Sequence, residues 1–214
     1  MWVVVVAAGS GQRFGAPKQF AQLAGRSMVQ WAVDAARGVA DGVVLVLPPG
    51  EDTGDVGVGR RGSGADVSVP GGDTRAASVR AGLAAVPGSA EVIVVHDGAR
   101  PLASPALFRA VVDAVTGGAD AAVPGVAVTD TLKRAVDGAV TATVARDGLV
   151  AVQTPQAFRA EVLRRAHEAG ADATDDATLV EALGATVRVV PGDPRNIKVT
   201  TAADLEVAQA LAMS

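Results

Sequence analysis

Cysteine is absent from the chain, which removes disulfides, thiolate metal sites and thiol nucleophiles together. Aromatic residues make up only 3%, so a core must come from closely packed alanine, valine and glycine rather than large rings. Histidine occurs twice, and neither copy stands beside a convincing nucleophile. No apolar run approaches the ~20 residues needed to span a bilayer. The N-terminus enters a strand directly, without the pattern of a signal peptide, and the expectation is a soluble cytoplasmic protein that does not act at a membrane. The net charge of −4 argues against a general nucleic-acid binder, so any cations that matter must act locally. What is present suits a packed globular fold: 49% hydrophobic residues in 214, enough for one good core and expected to form one domain over 1–214.

The organising stretch is the first. Val3 to Val6 with Ala7 and Ala8 form an apolar, β-branched run, the pattern of a strand buried on both faces. It breaks into Gly9-Ser10-Gly11, and Arg13 and Lys18 follow. Glycine lets backbone N–H groups turn toward one point, and two nearby cations would complete a polyphosphate cradle. A plain turn with surface cations fits the same letters. Two phosphate motifs are excluded. Phe14 stands where a dinucleotide fingerprint needs its third glycine, and Lys18 follows proline instead of belonging to a Gly-Lys-Ser/Thr unit.

Strand-like and helix-like segments then alternate, which predicts a doubly wound, mostly parallel sheet. A helix is expected over 27–40, strands over 43–47, 67–69, 92–96, 121–123 and 187–190, and a helix opened by Ser104-Pro105. Residues 50–66 read as a loop in which Arg60 and Arg61 are solvated. Asp73 is the expected N-cap of a helix running to about Val86, and with Ser78 it could instead line the cleft of the first loop. Asp97 lies at the carboxyl end of its strand, where open α/β sheets bind ligands. It is a candidate magnesium partner, directly or through water, or else the partner of Arg100 in a salt bridge. His96 reads as structural. Thr174 is the expected cap of a helix ending near Gly184, Thr201 with Asp204 caps the last helix, and Lys198 by itself would be surface decoration.

Residues 126–150 break the alternation. Two polar strand-like runs flank Asp137-Gly138, a hairpin signal, and predict a projecting arm too polar for the core. Such a hairpin is marginal alone and is expected to pack on a second subunit, with Arg146 reaching the neighbour's cleft.

Nine short motifs then fall in one order: Ala7-Ala-Gly-Ser-Gly-Gln-Arg13, Pro17-Lys-Gln19, Gly71-Gly-Asp-Thr-Arg75, Ser78-Val-Arg-Ala-Gly82, Val95-His-Asp-Gly-Ala-Arg100, Thr129-Asp-Thr-Leu-Lys133, Gln153-Thr-Pro-Gln156, Thr174-Asp-Asp176 and Asn196-Ile-Lys-Val-Thr200. From first strand to last helix the chain resembles the 2-C-methyl-D-erythritol 4-phosphate cytidylyltransferases. That resemblance implies a Rossmann-like nucleotidyltransferase fold of class α/β, a dimer through the arm, and magnesium-dependent transfer of CMP from CTP to a sugar-alcohol phosphate. Carried over by motif, Arg13 and Lys18 would stabilise the α-phosphate transition state, while Lys198 and a second subunit's Arg146 would position the polyol phosphate. Ala7, Ala8, Gly9, Ser10, Gly11, Gly72, Asp73 and Ser78 would hold the nucleotide. Asp97, Gly98, Arg100, Thr131 and Thr174 would line the substrate and metal side. The segment between Arg13 and Lys18 is shorter than is usual in that family, and Val6 stands where a proline is common.

The chemistry suits these residues. A phosphate monoester with a second pKa of about 6 is largely dianionic at neutral pH and attacks without a general base. The obstacle is bringing a dianion to a polyanionic nucleotide, and fixed cations lower it. Two alternatives share the nucleotide half of this pattern: a ribitol 5-phosphate cytidylyltransferase, and a nucleotide-binding protein without turnover.

Overall fold

Four consecutive valines leave no polar face, and the strand they form lies at the centre of the sheet. β1 (Trp2–Val6) pairs in parallel with β4 (Gly42–Leu47) on one side and β6 (Val92–Asp97) on the other. The computed structural model describes residues 1–9, 18–51, 64–168 and 170–213. Beyond β4 the sheet continues in parallel to β5 (Val67–Pro70). Beyond β6 comes β11 (Gln156–Arg159), antiparallel to both β6 and β7 (Ala121–Ala127). β7 also pairs with β10 (Val150–Val152), antiparallel, and with β12 (Val187–Pro191), parallel. The result is an eight-stranded, mostly parallel mixed sheet with the order β10-β7-β11-β6-β1-β4-β5 and β12 on β7.

Alternation along β1 assigns the two layers. Val3 and Val5 pack with Val29 and Ala32 of α1 (Met28–Arg37) and with Phe108 and Val111 of α3 (Pro105–Thr116). Val4 faces the other way, onto Val79 and Leu83 of α2 (Arg75–Ala85), Leu163 of α4 (Ala160–Glu168) and Val180 of α5 (Asp176–Glu181). A smaller cluster joins α6 (Ala202–Ala212) to the short hairpin of β2 (Gln22–Leu23) and β3 (Arg26–Ser27). Helices thus cover both faces of the sheet, as the alternating pattern predicted.

Helix starts follow local chemistry, with corrections. Ser27 caps α1 through a capping box with Gln30, but that helix ends at Arg37, short of residue 40. Thr74, not Asp73, caps α2: its hydroxyl accepts from Ala77 N–H at 3.1 Å and donates to Asp172 at 2.8 Å. Asp175, not Thr174, caps α5. Thr201 and Asp204 form the expected capping box of α6. The Asp204 carboxyl, accepting from the Thr200 hydroxyl and the Thr200 and Thr201 amides, is held down at about 2. Strand β11 has no counterpart in the sequence reading. Arg60 and Arg61 lie outside the described residues.

β8 (Leu132–Val136) and β9 (Ala139–Val144) form a separate two-stranded ribbon. Asp137 and Gly138 take positive φ of 47° and 80°, as a two-residue primed turn requires. Nearly every side chain of the ribbon is exposed, Val136 and Val140 included. The hairpin arm is therefore present where the turn signal placed it. No helix among the described residues is long and apolar enough to cross a membrane.

Candidate active site

The strand order reverses at β1, and Val6 stands level with Asp97 of β6 and Val46 of β4. A crevice opens at this point, beyond the carboxyl ends of the strands. Small residues keep its walls close. A Cβ on Gly71 would come within 2.3 Å of the Ala8 Cβ, and one on Gly98 within 3.0 Å of the Ala7 Cβ. Backbone bonds tie these ends together: Ala7 N–H to Val46 O at 2.8 Å, Gly98 N–H to Val6 O at 2.9 Å, and Gly71 N–H to Leu47 O at 2.7 Å.

The cleft has a volume of about 540 Å³ and is lined by residues 6–9, Lys18, Gln19, Gly72 to Arg75, Ser78, Asp97 to Ala99 and Lys198. Its second wall is the start of α2. The buried Ser78 hydroxyl holds the Gly72 loop, accepting from Gly72 N–H at 3.2 Å and lying 3.0 Å from Thr74 O. The amino end of an eleven-residue helix thus opens into the cleft and adds its positive dipole.

The third wall arrives from the far end of the chain and is clamped. The fully buried Asn196 donates to Thr154 O at 2.9 Å, and its own carbonyl accepts from Arg100 Nη1 at 2.7 Å. Val199 N–H bonds Ala99 O at 2.8 Å, and Lys18 Nζ donates to Val199 O at 3.1 Å. This places Lys18 and Lys198, 180 positions apart in the chain, on one cleft.

Asp97 is the electrostatic centre. Its carboxylate accepts from Lys198 Nζ at 2.7 Å and from Arg75 Nε at 3.2 Å, while Arg75 Nη1 reaches the buried Asp176 at 2.8 Å. Burial pushes the Asp97 carboxyl up, but Arg75 and Lys198 outweigh it and hold its pKa well below the usual carboxylate range. Burial likewise opposes the Arg75 charge, and Asp97 with Asp176 overcomes it, so the guanidinium is held charged more firmly than usual. Asp97 pairs with Arg75 and Lys198, not with Arg100, as a plain salt-bridge reading would have it. Among the described residues three cations, Lys18, Arg75 and Lys198, line the cleft against two carboxylates, Asp73 and Asp97. The cation excess is local, in a chain of net charge −4.

His96 is structural, as expected. It is fully buried, its Nδ1 lies 3.2 Å from the Thr154 hydroxyl and its Nε2 3.1 Å from Arg100 O. Burial lowers its pKa to about 4, which keeps the ring neutral. The neutral Nε2–H tautomer satisfies both contacts and leaves Thr154 Oγ1 to accept from Asp97 N–H at 3.0 Å.

Of the residues singled out from sequence, Ala7, Ala8, Gly9, Lys18, Gly72, Asp73, Ser78, Asp97, Gly98 and Lys198 meet at this cleft. Ser10, Gly11 and Arg13 lie outside the described residues. Arg100 does not line the cleft but clamps the Asn196 turn. Thr174 is exposed just before α5 and is not part of the lining. Thr131 is exposed at the start of the arm, and Arg146 binds Thr129 O across the arm's base, so neither enters the cleft of its own chain. Arg75 is the cleft cation the sequence reading passed over. It stood inside a quoted motif, but its meaning rests on two distant carboxylates.

The family profile "IspD: 2-C-methyl-D-erythritol 4-phosphate cytidylyltransferase" matches residues 1–214. The chain is 46% identical to the 2-C-methyl-D-erythritol 4-phosphate cytidylyltransferase of Deinococcus radiodurans over 97% of its length and 88% of the relative's. It is 44% identical to the bifunctional enzyme IspD/IspF of Nitratidesulfovibrio vulgaris, of whose length it spans 57%. The crystal structure of the Thermus thermophilus 2-C-methyl-D-erythritol 4-phosphate cytidylyltransferase superposes with a TM-score of 0.84 at 39% identity, covering 99% of this chain and 98% of that one.

Proposed function

We propose a reaction for this chain that follows from its kinship: the chain belongs to the 2-C-methyl-D-erythritol 4-phosphate cytidylyltransferase family. The reaction is transfer of CMP from CTP to 2-C-methyl-D-erythritol 4-phosphate with release of pyrophosphate, a step of non-mevalonate isoprenoid synthesis in the cytoplasm. The observation that carries this reading is the convergence of Lys18, Lys198 and Asp97 with the Gly72–Ser78 loop on one cleft at the strand-order reversal.

In this reading the triphosphate lies over residues 7–9 and the amino end of α2, whose N–H groups and dipole favour anions. Lys18 and Arg13 meet the charge that develops on the α-phosphate, and Lys198 takes the incoming phosphate monoester. A dianionic phosphate brought in line with a polyanionic triphosphate needs neutralising charge rather than a base. The lining supports this, because neither of the two histidines belongs to it.

Magnesium fits the donor set: Asp97 presents a carboxylate kept ionised by its neighbours, and Mg²⁺ is usually held by one or two carboxylates plus substrate phosphates. Asp97 would hold the ion, directly or through water, and when bound the ion supplies two further positive charges to the phosphate oxygens.

The reading includes a homodimer through the 126–150 arm, with Arg146 of one copy completing the cleft of the other. The arm's exposed valines and its pairing only with itself among the described residues support that assembly. Purified protein given CTP, Mg²⁺ and 2-C-methyl-D-erythritol 4-phosphate should release pyrophosphate, and Lys18→Ala should slow release on the order of 100-fold, the effect of removing one oxyanion donor. No release by the wild type, or a wild-type rate in the variant, overturns the reading.

A further inference from the structure

Asp97 has two cationic partners of different exposure. The Lys198 side chain is 43% exposed and reaches Asp97 from the solvent side of the cleft. Arg75 is 23% exposed and is held from behind by Asp176, which is 1% exposed. Asp176 is itself fixed by its other oxygen, which lies 3.0 Å from Nε2 of the buried His167. Among the described residues His167 Nδ1 has no partner, so the ring proton that meets Asp176 is placed on Nε2, which donates it. A buried carboxylate that did nothing but pack would be an expensive group to place here.

We propose that Asp176 is a positioning residue for the transfer reaction: it pins Arg75 as the permanent counter-ion of Asp97, so that Lys198 can leave Asp97 for the substrate phosphate. The inference rests on the nucleotidyl-transfer reading above and adds the division of labour between the two cations. Without the pin, nothing behind Arg75 stops it from swinging off Asp97 into the cleft. With it, Asp97 keeps one fixed partner when Lys198 departs.

Asp176→Asn keeps the shape and removes the charge. The variant should lose kcat by roughly 10- to 100-fold with KM for CTP changed by less than about threefold. Asp176→Glu, which restores the carboxylate, should recover most of that loss. Val180→Ala loosens the same short helix without touching a charge and should leave kcat per folded molecule at the wild-type value. Equal kcat losses in Asp176→Asn and Val180→Ala, or no recovery with Glu, would reduce Asp176 to a packing role and overturn the proposal. NMR of the guanidinium and ammonium groups tests it without turnover. In the wild type the Arg75 Nε–H signal should exchange slowly with solvent and persist when CTP and phosphate bind, while the Lys198 ammonium signal shifts. An Arg75 signal that exchanges as fast as that of Lys198 sinks the pin even in a protein that folds and turns over normally. A wild type that makes no cytidylyl product sinks the reaction reading, and the unliganded Arg75 signal still judges the pin.

Discussion

Asp97→Asn should destabilise the protein by an amount that depends on pH in a definite way. The carboxylate carries two charge-assisted contacts, Lys198 at 2.7 Å and Arg75 at 3.2 Å, each worth about 1.5–3 kcal/mol where well buried. Two discounts apply. Lys198 is 43% exposed and recovers water when its partner is neutral, and Arg75 keeps its bond to Asp176 at 2.8 Å. Asn also retains one acceptor oxygen. The net cost near pH 7 is then about 2 kcal/mol, or roughly 5 °C in midpoint temperature for a chain of this size.

The sign follows from the direction of the shift. The folded-state pKa of Asp97 is lowered, because Arg75 and Lys198 outweigh the burial that opposes its charge. Its contribution is complete above the unfolded-state value of about 3.9 and is lost as pH falls below that, toward the folded-state value. Urea unfolding followed by the fluorescence of Trp2 and Trp31 should therefore show a constant gap between wild type and Asp97→Asn from pH 7 to about pH 5, closing below about pH 4. Taking the difference cancels the other carboxylates, Asp204 among them. A gap under about 0.5 kcal/mol at pH 7, or one that widens on acidification, would show that Asp97 is not a paired carboxylate and would remove the electrostatic centre of the site.

Two further outcomes test the cleft and the arm. Gly71→Val places its Cβ within 2.3 Å of the Ala8 Cβ and 2.8 Å of Ser78 Oγ, so the Gly72 loop must shift; CTP affinity by calorimetry should fall at least about tenfold, and unchanged affinity would mean this wall does not meet the nucleotide. For the arm, Arg146→Ala and Lys198→Ala should each be inactive as pure proteins, while their mixture after subunit exchange should regain about a quarter of wild-type activity, since half the dimers carry one intact composite site. A mixture as inactive as its parents would confine each cleft to one chain.

How much of this was legible in the letters divides by distance along the chain. β1 was readable because four valines dictate burial on both faces, and the hairpin because Asp137-Gly138 demands a primed turn. Both are local statements. Two helix caps were missed by one residue for a reason of the same scale: Asp73 and Thr74, or Thr174 and Asp175, are adjacent residues that both belong to the cap-forming types. In the first pair Thr74 also donates to Asp172, 98 positions away. β11 escaped because Gln-Ala-Phe-Arg has neither length nor alternation, and the buried Gln156 it places in the sheet is tolerated only with Gln153 O and Asp175 within reach of its amide. Arg75 shows the same limit at the site. Nothing beside it in sequence separates a helix-start arginine in water from one locked between carboxylates 22 and 101 positions further on. Lys198, 101 positions from Asp97, would by itself be taken for decoration. A cation acquires its role from the anion that the fold sets against it, and here the sheet topology does so by bringing the ends of β1 and β6, the start of α2 and the segment before α6 to one crevice. Motif order stands in for that topology when the family is recognisable. The residues it leaves unassigned, Arg75 and Asp176, are those whose work consists of holding another charge in place.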